Sequence, residues 1–140
     1  MTRVDLEGAW PTEQLERIGH AEELDLASRR PDGTLRPYTT MWVVRVGHDI
    51  YVRSAGGPDR PWYRHAIAAR AGRIRAGGVE HDVAFDRSTG DIEETIDAAY
   101  HHKYDRYGPR IVGSVVGETA HQVTVRLIPA ATAPQEVNHE

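Results

Sequence analysis

Between Arg29 and His65 the chain concentrates side chains able to hold a flat, negatively charged ligand. The stretch RRPDGTLR (29–36) sets Arg29, Arg30 and Arg36 around a turn containing Gly33. Guanidinium groups so placed meet a phosphate or carboxylate through paired N–H donors. The plain structural reading of the same residues is a solvated hairpin tip. In TTMW (39–42), Thr39 and Thr40 offer hydroxyls to a ring edge and Trp42 a flat apolar wall, while core packing accounts for Trp42 equally well. The third stretch, YVRSAGGPDRPWYRH (51–65), leads from a strand end through the loop glycines Gly56 and Gly57 into a helix start at Trp62. Backbone amides at such a junction form an anion site, glycine lets a ligand approach the main chain, and Arg53, Ser54 and Arg60 would add donors. A tight turn with proline at the helix entry gives the same sequence. For proton transfer, Tyr63, His65 and Asp59 lie nearest, and Tyr63 at the mouth of the groove is the preferred donor; the alternative is a tyrosine packed across the helix start.

Outside that region the chemistry thins out. The eight histidines show no ligand spacing, so no metal is expected. His81 falls on an apolar strand face, where a satisfied core histidine is the commoner outcome. Without cysteine or a Gly-x-Ser-x-Gly context, covalent hydrolysis is not expected. The phosphate-loop and dinucleotide glycine spacings are also missing.

The elements that must position these residues are mostly hairpins. Thr12 to Ala21 reads as a short helix after Pro11, capped by Thr12, with Leu15 and Ile18 on one stripe suited to plugging a barrel end. The Pro-Asp-Gly turn joins two extended stretches from Leu24 onward, and Gly47-His48 joins Thr39–Val46 to Asp49–Ser54. Gly77-Gly78 joins a strand bearing Ile74 to one with Val79, His81, Val83 and Phe85 on a common face. A helix from Trp62 to Arg70 follows Pro61, and a longer one over 91–107 follows the capping candidates Ser88 and Thr89. HQVTVRLIP closes the domain as a strand with Val123, Val125 and Leu127 alternating. These elements predict an α+β fold that is mainly β, with six antiparallel strands in a closed or nearly closed barrel and two to three helices.

A chain of 140 residues fits one domain, taken as 1–129, with 130–140 as a flexible tail. A net charge of −4 with both signs interspersed argues against a nucleic-acid surface. No apolar run is long enough to span a membrane, and the N-terminus lacks a secretory pattern, so a cytoplasmic location is the expectation.

The stretch from Arg29 to Ala76 resembles the deazaflavin-dependent nitroreductases in its arginine turn, its strand pair, Ser-x-Gly-Gly at 54–57 and Trp62-Tyr63. The whole chain, including DAAYHHKY and TVRLIP, resembles a bacterial family of the FMN-binding split-barrel superfamily. The resemblance implies a six-stranded Greek-key split barrel, usually a homodimer, holding FMN or a deazaflavin in a groove beside the dimer interface. Arg30, Gly33 and Arg36 then match the first anion-binding turn, Thr39 and Thr40 the strand along the ring, and Ser54, Gly56, Gly57, Trp62 and Tyr63 the second loop. The nitroreductases carry a lysine where this chain has Pro31, which removes one donor and one charge. Two functions follow: a flavin- or deazaflavin-dependent oxidoreductase passing hydride to a small organic substrate, or a redox-inactive barrel dimer that binds a small molecule or acts on it without redox chemistry.

Overall fold

A computed structural model describes residues 9–87 and 91–130. Its strands are β1 (Leu24–Ser28), β2 (Thr39–Met41), β3 (Val44–Val46), β4 (Asp49–Arg53), β5 (Ala71–Ala76), β6 (Val79–Asp86) and β7 (Thr124–Pro129). Its helices are α1 (Thr12–His20), α2 (Pro61–Ala69), α3 (Glu93–Tyr104), α4 (Pro109–Val112) and α5 (Glu118–His121), with a 3-10 turn at Asp105–Tyr107. The strands form one sheet in the order β2-β1-β5-β6-β7-β4-β3, and every neighbouring pair is antiparallel.

That order dictates the curvature. β2 and β3 are opposite edges of the sheet, yet only Trp42 and Val43 separate them in the chain. Three Cα steps from Met41 to Val44 reach at most about 11 Å. The sheet must therefore curl until its edges nearly meet, which makes it a split barrel with Greek-key neighbours β1–β5 and β4–β7. The expected hairpins form: β1–β2, β3–β4 and β5–β6. The last closes through Gly77 and Gly78 at φ +58° and +83°, the left-handed pair that a two-residue turn between Ala76 and Val79 requires. Gly77 also lies so close to the Arg17 carbonyl of α1 that a Cβ there would collide with it.

Leu24 and Leu26, Ile50 and Val52, Ile74, Val83 and Phe85, Val125 and Leu127 fill the interior. Leu15 and Ile18 of α1 plug one end, and Trp10 donates from Nε1 to the Leu127 carbonyl at 2.9 Å. A second apolar cluster lies outside the sheet, where Ile96, Tyr100 and Tyr104 of α3 cover Val44 and Tyr51. β4 is thus buried on both faces, inside by Ile50 and Val52 and outside by Tyr51 and Arg53.

The sheet has seven strands rather than six because the run Thr39–Val46 breaks at Trp42-Val43, where the chain steps from one edge to the other. α3 clamps the step: the Tyr104 hydroxyl accepts from Val43 N at 3.1 Å, and Lys103 Nζ donates to the carbonyls of Val43 (2.8 Å) and Gly19 (3.0 Å). The described residues form five α-helices rather than two or three, the additional ones being the four-residue turns α4 and α5. His121, Gln122 and Val123, expected in the last strand, lie in and after α5. Pro11, not Thr12, occupies the cap of α1, and α2 runs Pro61–Ala69 and ends on Arg70 in the left-handed region. Ser88, Thr89 and residues 131–140 of the expected tail lie outside the described residues. His81 is half-buried, edge-on to the Trp10 ring, with Nδ1 2.7 Å from the Asp82 carbonyl.

Candidate functional site

A cavity of about 460 Å³ opens where the two sheet edges approach one another. β2 supplies Thr39, Thr40 and Met41, and Trp42 follows it; the loop after β4 supplies Ala55, Gly56 and Arg60; α2 supplies Trp62. Ile111, Ser114 and Val115 close the far wall, Glu23 precedes β1, and Arg53 lies at the base. Seven of the residues singled out in the sequence, Thr39, Thr40, Trp42, Arg53, Gly56, Arg60 and Trp62, meet here.

Their availability differs. One face of the Trp42 ring is covered by Tyr104, stacked at 4.1 Å and 6°. Thr40 Oγ1 donates to Asp25 Oδ1 at 2.6 Å, whereas the Thr39 hydroxyl meets no acceptor among the described residues. The Arg60 side chain crosses Gly56 so closely that a Cβ at Gly56 would overlap its guanidinium. Arg60 is exposed and makes no ion pair with a described residue, so its charge is free for a ligand.

Arg53 has a different situation from the one its sequence position suggested. Its side chain is fully buried. Nε donates to Thr124 Oγ1 (2.9 Å), one terminal nitrogen to Asp97 Oδ1 (2.5 Å) and the Val115 carbonyl (2.7 Å), and the other to the Glu93 carbonyl (3.1 Å) and Oε1 (2.7 Å). A guanidinium has five N–H donors, so this arrangement leaves none for an anion. Arg53 ties β4 to α3, β7 and the strap carrying Val115. Asp97 in turn accepts from Gly117 N and lies 2.9 Å from His121 Nε2. Burial pushes the Asp97 carboxyl upward, but the bonds from Arg53, His121 and Gly117 outweigh it and hold the group below its ordinary value.

Ser54 and Gly57 shape the loop instead of lining the main cavity. Ser54 Oγ donates to the Gly57 carbonyl at 2.6 Å and Gly57 N to the Ser54 carbonyl at 3.0 Å. Both residues line an adjoining hollow of about 310 Å³ against Gly113, Ser114 and Thr119, and Gly56 borders both spaces. Tyr63 is turned into the barrel core at 5% exposure, with its hydroxyl donating to the Gln122 carbonyl at 3.4 Å. This is the packed tyrosine across the helix start, and the geometry gives it no access to the cavity.

Arg30 and Arg36 do not join Arg60. They line a separate cavity of about 460 Å³ with Arg29, Pro31, His65, Ala68 and Ala69. Gly33, at φ +91°, supports the turn: its N–H donates to the Arg30 carbonyl at 2.8 Å and its carbonyl accepts from Arg29. α2 contributes Trp62 to one cavity and His65 to the other, and the two cavities have no lining residue in common.

Sequence reasoning missed Glu23, Ile111, Ser114, Val115 and the acids around Arg53. Only the last left a trace: Glu93 and Asp97 are four residues apart on α3, which puts both carboxylates on one face.

Among the described residues no cluster of His, Asp and Glu suits a metal ion, and no helix is long and apolar enough to cross a membrane. Several solved structures share the fold. A Listeria innocua protein described as a candidate pyridoxamine 5′-phosphate oxidase aligns with a TM-score of 0.60 at 15% identity, over 86% of this chain and 93% of its own. HutZ, described as the heme storage protein of Vibrio cholerae, aligns at 0.57 and 15%, over 86% and 90%. A structure described as a domain-swapped dimer aligns at 0.55 and 15%, over 84% and 92%. No curated protein matches the chain. The model of a family described as an uncharacterized protein conserved in bacteria (DUF2255) matches residues 14–127, and the chain belongs to that family.

Proposed function

We propose that the protein is a flavin- or deazaflavin-dependent reductase that holds the ring of FMN or a deazaflavin in the cavity between β2 and the loop at 54–60 and acts on a small organic substrate. One observation carries this reading: Thr39 and Trp42 on one side, and Gly56, Arg60 and Trp62 on the other, wall a single space although a strand pair separates them in the chain. The volume lies within the ordinary range for cofactor pockets, and mostly apolar walls with a few polar groups are what such pockets use. Met41, Trp62 and Val115 supply flat or apolar contact, Thr39 Oγ1 and the exposed main chain at Gly56 supply hydrogen bonds to a ring edge, and Arg60 supplies the free cation. A bound flavin would supply the hydride; these residues bind, orient and exclude water. Split-barrel neighbours described as an oxidase of a pyridoxamine phosphate and a heme storage protein are in keeping with a fold that seats flat heteroaromatic groups. Ile111, 52% exposed at the rim, is the apolar surface a second copy would cover in a homodimer.

The second reading, a redox-inactive barrel dimer that binds a small molecule, is favoured by one fact: Arg53 is saturated and Arg30 and Arg36 lie elsewhere, so among the described residues Arg60 is the one free cation lining the proposed ring cavity. Fluorescence titration of the purified full chain with FMN, riboflavin and a deazaflavin separates the two. Saturable binding that Gly56→Val weakens on the order of ten-fold supports the flavin reading, since the valine side chain would displace Arg60 into the cavity. Failure of all three ligands to bind a folded protein would leave the second reading.

A further inference from the structure

Of the chain's 17 lysine and arginine side chains, Lys103 is the one lysine. An arginine stays protonated in a protein, so of these side chains only Lys103 can release a proton and present a lone pair. It lies on α3 and lines a cavity of about 500 Å³ against α1 and β3, apart from the proposed ring pocket. Nζ donates to the Gly19 carbonyl at 3.0 Å and the Val43 carbonyl at 2.8 Å, and meets no third acceptor among the described residues; the Tyr104 ring centroid is 5.2 Å away. A neutral amine has two N–H groups, so it keeps both bonds and its lone pair takes the remaining tetrahedral position. Burial favours that form by drawing the ammonium down to about 8, with Glu22 opposing the fall and Arg106 adding to it. A lysine desolvated in this way is a nucleophile near neutral pH.

We propose that Lys103 is a carbamate site: its amine takes up carbon dioxide, and Arg45 is the counter-ion of the carboxylate so formed. The Nζ lone pair forms the N–C bond, one C=O electron pair moves onto oxygen, and the nitrogen gives one proton to water. One N–H remains on the carbamate. It keeps the Gly19 carbonyl, because the Val43 carbonyl has a second donor in the Tyr104 hydroxyl at 2.9 Å. Arg45 lines the same cavity and commits only Nε, to the Gly47 carbonyl at 2.8 Å; its terminal nitrogens meet no acceptor among the described residues. Its stem packs along Gly19, where an added Cβ would lie 3.1 Å from Arg45 Cβ and Cδ, so Lys103 and Arg45 rest on the same residue. The open edge of a guanidinium presents the paired donors that a carboxylate matches. Of the other charged and titratable groups facing this space, Glu22 is held by Arg106 and the Tyr107 hydroxyl, and His20, His102 and Glu16 remain. Glu16 opposes a new anion, but it is exposed and water screens it.

Carbon dioxide uptake involves no flavin, so it stands or falls apart from the reductase reading. The full chain is equilibrated with isotope-labelled carbon dioxide and bicarbonate at a pH of about 8, where half of the folded Lys103 is free amine. Magnetic resonance should show a labelled carbamate carbon, and trapping with a trialkyloxonium salt, digestion and mass spectrometry should place it on Lys103. The N-terminal amine is the internal standard, and Lys103 is expected to half-saturate at several-fold less carbon dioxide. Lys103→Arg keeps the cation and its N–H donors but has no lone pair; it should remove the Lys103 signal and leave the N-terminal one. Arg45→Met leaves the amine in place and should weaken uptake by up to about five-fold. Unfolding in guanidinium chloride should abolish the Lys103 signal, because the ammonium returns to its ordinary value of 10.5. Label on the N-terminal amine alone in the folded parent, or uptake at Lys103 no stronger than in the unfolded chain, overturns the site. Uptake unchanged by Arg45→Met overturns the counter-ion.

Discussion

Arg53→Met should lower stability by about 3–5 kcal/mol in urea unfolding, because it leaves Glu93 and Asp97 facing one another without the buried cation between them. Arg53→Lys should recover only part of this, since an ammonium has three donors and the site uses five. The lowered Asp97 carboxyl sets an acid limit. Its folded form releases a proton more readily than the unfolded chain, so its contribution is complete above the ordinary aspartate value near pH 3.9 and is lost as pH falls through the folded value. Asp97→Asn should flatten the acid limb of the stability profile below about pH 4. A guanidinium at the end of strand YVR invites a ligand role in the sequence; only the arrival of α3 and β7 shows that its donors are already taken.

At the scale of elements, α3 is fastened to the step between the sheet edges through Lys103 and Tyr104. Burial lowers the Lys103 ammonium to about 8, with Glu22 opposing the fall and Arg106 adding to it. Between that pH and about 10.5 the unfolded chain holds a proton that the folded lysine has released, so stability should rise with pH across this window. Lys103→Met should abolish the rise, as read from melting temperatures at pH 7 to 10. The hairpins were legible because their turns carry local signals: Pro-Asp-Gly, Gly47-His48 and Gly77-Gly78 each fix a reversal within a few residues. The break of Thr39–Val46 was not, because all eight residues suit a strand and the break comes from which strand each half pairs with. The strap from Gly108 to Ala120 was also unread, its four-residue helices being too short to show a period.

For the whole molecule, a homodimer covering Ile111 should sediment at twice the mass of one chain, and Ile111→Asp should shift it to the monomer while leaving the melting transition within a few degrees, because that side chain contributes little to either core. A monomer at micromolar concentration in the parent would refute the dimer and leave the cavity exposed at its rim. The amino-acid sequence by itself determined the mainly antiparallel architecture, its hairpins, the plugging helix and the region 29–65 that carries the candidate chemistry, since turn types and apolar alternation act over a handful of residues. Tertiary structure alone decided that the arginine bends line two cavities rather than one, that Arg53 is buried under α3 and Tyr63 in the barrel core, and that Ile111, Ser114 and Val115 complete the cavity beside β2. Those outcomes depend on contacts between segments tens of residues apart, where the curl of the sheet, rather than local preference, selects the neighbours.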